Sequence, residues 1–309
     1  MGGSGGSYTD WDTNKLAGAM REESDKASAE FEQELAGFLS DLLAAFNARD
    51  VDLVRERLEI AKRALEDEFE NTVDQLFGGS VAKHTYVDGL SDIDSLLIMK
   101  PGDQETTSPR EMLDKMGLKL AAVLPKDVHL SHGDMALTLT YPDGMNIQLL
   151  PAFRTDTGLK VPKAGENTWS EIDTEAFTQA LTRRNEECGG KLVPTIKLAK
   201  AALAALPEEY RLTGYHTESL AIAAFAGFDG TKTTTSMLPY FFACAKVLVL
   251  APIRDSTGQS VHVDEYLGSE NSHARQIVSH LLDRLAKRMR NASAAKSNAQ
   301  WKSVFLPEE

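Results

Sequence analysis

Cysteine is nearly absent from this 309-residue chain, with only Cys188 and Cys244. Two thiols cannot build a disulfide framework or a cysteine-based zinc site, so buried free cysteine is the default reading. Basic residues are also in deficit, 33 Lys and Arg against 46 Asp and Glu, for a formal charge of −13. Coating duplex DNA needs clustered Lys and Arg to neutralise phosphate, and this balance argues against it. A nucleotide-handling pocket is not excluded, because a local basic patch and metal ions can screen phosphate. Long apolar runs are missing too. The longest, Phe241 to Pro252, is broken by Lys246 and is too short to span a membrane. No secretory signal opens the chain, so a cytoplasmic location is expected.

What is present is ordinary globular composition, 42% hydrophobic and 26% charged, on a chain long enough for a large core. Residues 1–7, rich in Gly and Ser, read as a flexible leader. From Asn14 to about Phe77 the pattern is helical. Phe31, Leu35, Phe38, Leu39, Leu42, Leu43 and Phe46 form one apolar stripe, interrupted at Asn47 to Asp50. Leu53, Val54, Leu58, Ala61, Leu65 and Phe69 form a second. The middle of the chain is mixed. Ser95 to Met99 suits a buried strand, and Pro109 to Leu124 an amphipathic helix. Ala136 to Tyr141 and Met145 to Leu150 flank Pro142-Asp143-Gly144 as a hairpin. After Pro162 the strand signal fades. Phe177–Ala205, Thr217–Phe228, Thr234–Leu250 and Ser272–Arg290 read as helices, the last stopping at Asn291.

The segment that carries chemistry is Leu76-Phe77-Gly78-Gly79-Ser80, followed by Leu90-Ser91-Asp92-Ile93-Asp94. Glycines let backbone N–H groups approach phosphate oxygens with no Cβ in the way, and Ser80 adds a hydroxyl. Asp92 and Asp94, two apart at the start of a strand, direct their carboxylates to one face. Hard oxygen ligands so paired suit Mg²⁺ held against a triphosphate.

Gly79-Ser80 and Gly89-Leu90-Ser91-Asp92-Ile93-Asp94 together resemble the signature of the bacterial oligonucleotide cyclases related to cyclic GMP–AMP synthase, in the DNA polymerase β superfamily. The resemblance runs on through Asn185 to Lys200, Gly214-Tyr215-His216-Thr217-Glu218, Pro252 to Gly258 and Trp301 to Phe305. It implies an α+β fold: a polymerase-β-like nucleotidyltransferase lobe with a mixed sheet, N-terminal helices and a helical C-terminal lobe. The expected division is residues 8–172 for the helices and catalytic lobe and 173–309 for the helical lobe.

The resemblance also implies roles. Asp92 and Asp94 would bind Mg²⁺, with Mn²⁺ as the alternative ion. Gly78, Gly79 and Ser80 would hold the triphosphate, Lys200 would reach it from the helical lobe, and Tyr215 would stack on a base. His84 and His216 suggest no more than packing or support of the phosphate loop. Two positions depart from the pattern. Gln148 stands where a third carboxylate is expected, and glutamine can neither carry charge nor accept a proton from a 3′-hydroxyl. Gly214 stands where a phosphate-binding serine is common. Three readings of Gln148 remain open: an introduced substitution, a natural change with surviving chemistry, or loss of catalysis. The implied activity is synthesis of a signalling, usually cyclic, oligonucleotide from nucleoside triphosphates in antiphage defence, acting on a separate effector protein. A nucleotide-binding sensor, a polymerase of linear oligonucleotides and a transferase of single nucleotides are the alternatives.

Overall fold

A computed structural model describes residues 13–48, 50–66, 74–77, 81, 83–87, 93–99, 107–156, 158–163, 165–172, 174–253 and 264–306. Two helices come first, α1 (Thr13–Phe46) and α2 (Val51–Glu66). A sheet region follows, comprising β1 (Asp74–Phe77), β2 (Ile93–Met99), α3 (Pro109–Val123), β3 (His129–His132), β4 (Leu137–Thr140), β5 (Asn146–Arg154), β6 (Leu159–Pro162) and β7 (Trp169–Ile172). The rest is helical: α4 (Thr174–Glu187), α5 (Leu192–Ala204), α6 (Gly214–Ala224), α7 (Thr234–Leu248), α8 (His273–Ala294) and α9 (Asn298–Lys302). The fold is α+β.

The sheet runs β1-β2-β5-β4-β3, with β6 joined to β5 and β7 to β6. Among the described strands only the β2–β5 pairing is parallel, so the sheet is mixed. Side-chain alternation divides its faces. Ile93, Leu97, Met99, Ile147, Leu149 and Phe153 pack against Val54, Leu58 and Leu65 of α2 and Met112, Leu113, Met116 and Leu120 of α3. Burying each such side chain contributes about 1.5–3 kcal/mol, which makes this face the lobe's main anchor. Arg57 adds a link from α2 to the β4–β5 hairpin. Its guanidinium makes a two-point contact with Asp143, at 2.7 and 3.1 Å, and lies 3.8 Å from the centre of the Tyr141 ring. Gly144, at φ 86°, closes that hairpin where a side chain would be strained.

The opposite sheet face carries a smaller cluster of Leu96, Ile98, Ala152, Leu159 and Val161. A second large core fills the helical lobe, and Phe31, Leu35 and Leu39 of α1 belong to it. Buried side chains of α1 thus pack with the helices and those of α2 with the sheet. Three differences from the sequence reading have local causes. The helical pattern carried to Phe77 ends in β1, which pairs with β2. The run Phe177–Ala205 is two helices, because Gly189 and Gly190 adopt φ of 61° and 75° and turn the chain between them. Asn185 then receives the N–H of Val193 at 3.0 Å, capping the start of α5. Asn291 does not stop α8. The helix runs to Ala294 and ends where Lys296, at φ 48°, takes the left-handed position; Ser297 N–H bonds back to Ala292 at 2.9 Å.

Candidate active site between the sheet and the helical lobe

Asp94 is the second residue of β2, and the parallel register sets it directly beside Gln148 of β5. Gln148 is in turn opposite Thr138 of β4. Register partners project to the same face, so Asp94, Gln148 and Thr138 form a row across three strands. All three are half-buried. They share their face with the smaller apolar cluster rather than with the face that α2 and α3 cover.

Beyond this row the helical lobe contributes charge. Lys200, near the end of α5, is 9% exposed. Its ammonium donates to the Thr85 carbonyl at 3.0 Å and to Glu218 Oε1 at 2.9 Å. Burial holds the Lys200 pKa below the ordinary lysine value; Glu218 and, more weakly, Asp94 oppose that shift. The charge of Asp94 therefore reaches the Lys200 ammonium, which ties the sheet row to the helical lobe electrostatically.

Glu218 on α6 is 1% exposed and is shared. Its other oxygen, Oε2, pairs with Lys83, and the Thr85 hydroxyl donates to Oε1, the oxygen that Lys200 also holds. Burial would push this carboxyl up, but Lys83, Lys200 and these hydrogen bonds more than reverse that, leaving it below the usual carboxylate range. Lys83 also lies 4.6 Å from the Phe177 ring centre and 5.0 Å from that of Tyr215. Tyr215 packs on Phe177, with ring centres 4.6 Å apart, and stays half-buried. Gly214 opens α6, and a Cβ there would lie 3.4 Å from Lys200 Nζ. That is an ordinary contact distance, so the first turn of α6 passes beside the lysine head without crowding it.

His216 is no free acid–base group. It is fully buried, with Nδ1 2.8 Å from the Tyr266 hydroxyl and Nε2 3.6 Å from Asp264. Burial, outweighing the attraction of Asp264, pushes its pKa down to about 4. Arg275 pairs with Asp264 at 2.6 Å and donates to the carbonyls of Val249, Ala251, Asp264, Gly268 and Ser269. This network seats the start of α6 on the helical core. His84, at φ 58°, is exposed.

Of the residues singled out from sequence, Asp94 and Gln148 are adjacent, and Lys200, Gly214 and Tyr215 meet around the start of α6. Gly78, Gly79, Ser80 and Asp92, and the stretch Arg254 to Gly258, lie outside the described residues. Lys83, Thr85 and Glu218 were missed. Their signals were the short spacing of Lys83 and Thr85 after Ser80 and the place of Glu218 in the Gly214–Glu218 motif.

Against this geometry, a family profile described as the Second Messenger Oligonucleotide or Dinucleotide Synthetase domain matches residues 30–185. The chain belongs to this family. No curated protein sequence matches it. Among solved structures, Vibrio cholerae DncV cyclic AMP-GMP synthase aligns with a TM-score of 0.62 at 14% identity, covering 96% of this chain and 91% of that one. Escherichia coli MS115-1 CdnC with ATP aligns with a TM-score of 0.62 at 16% identity, covering 91% and 96%. Capnocytophaga granulosa CdnE c-di-GMP synthase aligns at 0.58 and 18%, covering 78% and 80%. At these identities the likeness is one of fold, that of polymerase-β-like nucleotidyltransferases. Among the described residues, no helix is long and apolar enough to cross a membrane.

Proposed function

We propose that the protein joins nucleoside triphosphates into a short signalling oligonucleotide, cyclic in its final form. In each step a ribose hydroxyl oxygen bonds to the α-phosphorus of a second triphosphate. The bond from that phosphorus to the bridging oxygen of the β-phosphate breaks, pyrophosphate leaves, and the hydroxyl proton passes to water. The observation that carries this reading is the register of Asp94 beside Gln148, with the Lys200 ammonium within electrostatic reach, in a chain of the synthetase family.

The donor chemistry fits a hard divalent cation. Asp94 offers a carboxylate, its neighbour Gln148 an amide carbonyl, and Asp92 would add the second carboxylate. Among the described residues no three His, Cys, Asp or Glu side chains converge, so the described site by itself is short of anionic ligands. When bound, Mg²⁺ or Mn²⁺ would neutralise phosphate charge and polarise the phosphoryl oxygens. Within the protein, Lys200 attracts and orients the triphosphate, Ser80 hydrogen-bonds a phosphate oxygen, and Tyr215 supports a base. Gln148 orients oxygen ligands without taking a proton, which leaves the hydroxyl to deprotonate to solvent.

One observation favours a second reading. An uncharged Gln148 in the row with Asp94 suits a sensor that binds nucleotide without joining it. A linear oligonucleotide product is the nearest catalytic variant. A cytoplasmic role in antiphage defence, through a separate effector, follows the family. E. coli CdnC has been solved in complex with HORMA, and a separate regulator is proposed here by that analogy.

Incubation with each radiolabelled nucleoside triphosphate, with Mg²⁺ or Mn²⁺, separates these readings. A new oligonucleotide with released pyrophosphate supports synthesis. Saturable binding without turnover supports the sensor, and label on protein or tRNA would replace both.

A further inference from the structure

One buried carboxylate has no part in the transfer step outlined above. Glu218 belongs to α6, yet it binds Lys83 through one oxygen and Lys200 through the other, and it accepts the Thr85 hydroxyl. Lys83 and Thr85 follow the glycine–serine segment of the sheet lobe, whereas Lys200 and Glu218 belong to the helical lobe. Lys200 also donates to the Thr85 carbonyl at 3.0 Å, so four side chains and one backbone group close a knot between the lobes.

A carboxylate buried only for stability needs one partner cation; here there are two, with side chains 10% and 8% exposed. The three contacting side chains, Lys83, Lys200 and Glu218, sum to one positive charge in a site largely removed from water, and among the described residues Asp94 is a further charge felt at Lys200. Like charges held together in low dielectric repel strongly unless an anion answers them.

We propose that Glu218 is a positioning residue: it holds Lys83 and Lys200 side by side as one cationic seat for a nucleoside triphosphate, and joins the two lobes at that seat. The assignment rests on the nucleotidyl-transfer reading. Free of triphosphate, the carboxylate keeps the lysines from repelling each other. With triphosphate present, the surplus charge is available to phosphate oxygens while the ammonium groups stay fixed. Glu218 also favours the charged form of Lys200, whose burial works against it. Among the described residues, the charged groups facing Lys200 are Glu218, Lys83 and Asp94.

The test is Glu218→Gln in the full chain, followed by ATP binding with Mg²⁺ from neutral to alkaline pH, and by turnover. Without the carboxylate the lysine loses its proton at lower pH, so the alkaline limit of binding moves toward neutrality by about one unit. In the same variant kcat falls by about tenfold or more while KM for ATP changes less than about threefold, the split expected of lost positioning rather than lost binding. Glu218→Asp, which keeps the charge on a shorter arm, recovers part of the alkaline limit. If Glu218→Gln does not fold, Thr85→Val removes the hydroxyl that donates to Glu218 and accepts from Lys200 at 3.4 Å, and shifts kcat and the limit in the same directions by smaller amounts.

A folded variant with the wild-type alkaline limit and kcat within about twofold of wild type would overturn the assignment. A wild-type protein that binds no ATP would instead sink the nucleotidyl-transfer reading, and this one with it. Wild-type binding with an indistinguishable variant sinks the positioning role alone.

Discussion

Two buried charge clusters lie within a few residues of each other on α6, and they do opposite things. Around His216, the charges of Asp264 and Arg275 cancel, both side chains are 0% exposed, and Arg275 is spent on carbonyl oxygens of its own lobe. Around Glu218 the charges do not cancel, the lysines keep a little exposure, and the contacts cross between lobes. A cluster that satisfies itself holds a fold; one left with surplus charge is prepared for a ligand. Burial of charge alone does not tell them apart. The net sum and the ownership of the partners do.

The largest expected effect breaks the self-satisfied cluster. Arg275→Met leaves Asp264 buried without its cation and lowers stability by about 3–5 kcal/mol, read as a drop in the midpoint of urea unfolding. Lys200→Met is the contrasting case. Because Glu218 keeps Lys83, stability falls less than for Arg275→Met, while kcat/KM for triphosphate falls about a hundredfold in a steady-state assay. Third comes pH. The folded His216 pKa of about 4 is below its ordinary 6.5, so the unfolded chain binds more protons in that window. Stability is therefore complete above about pH 6.5 and is lost as pH falls toward 4, by about 2 kcal/mol between about pH 7 and about pH 5. Unfolding midpoints at both pH values check this, and His216→Gln flattens the difference. The smallest effect sharpens the site itself. Gln148→Asp adds the missing carboxylate beside Asp94, raising oligonucleotide synthesis about tenfold. It also lowers the melting temperature in the absence of divalent cation and restores it on adding Mg²⁺.

Legibility in the sequence followed the strength of local signals. Ser95 to Met99 was readable because a strand buried on both faces is a continuous apolar run, and β2 is almost wholly buried. The Pro142-Asp143-Gly144 turn was readable from turn chemistry alone. Strands β1, β3, β6 and β7, four residues each, are too short to show a period, and pairing with neighbours decides them; β4 is as short, and only the adjoining turn made it readable. The Gly189-Gly190 break was masked by apolar spacing on both sides. At the site, Asp94, Gln148 and Lys200 stood out by motif, but their geometry depends on the β2–β5 register. Glu218 stood in the Gly214–Glu218 motif, but its contacts were not readable there, since its partners Lys83 and Lys200 are 135 and 18 residues away.

The central claim is that the half-buried carboxylate of Asp94, in its row with Gln148, serves nucleotidyl transfer. The most direct measurement compares wild type and Asp94→Asn for oligonucleotide and pyrophosphate formation from labelled triphosphates with Mg²⁺, with folding confirmed by circular dichroism. The account predicts product from wild type and a loss of about a thousandfold or more in the folded variant. Equal product from both proteins would contradict it.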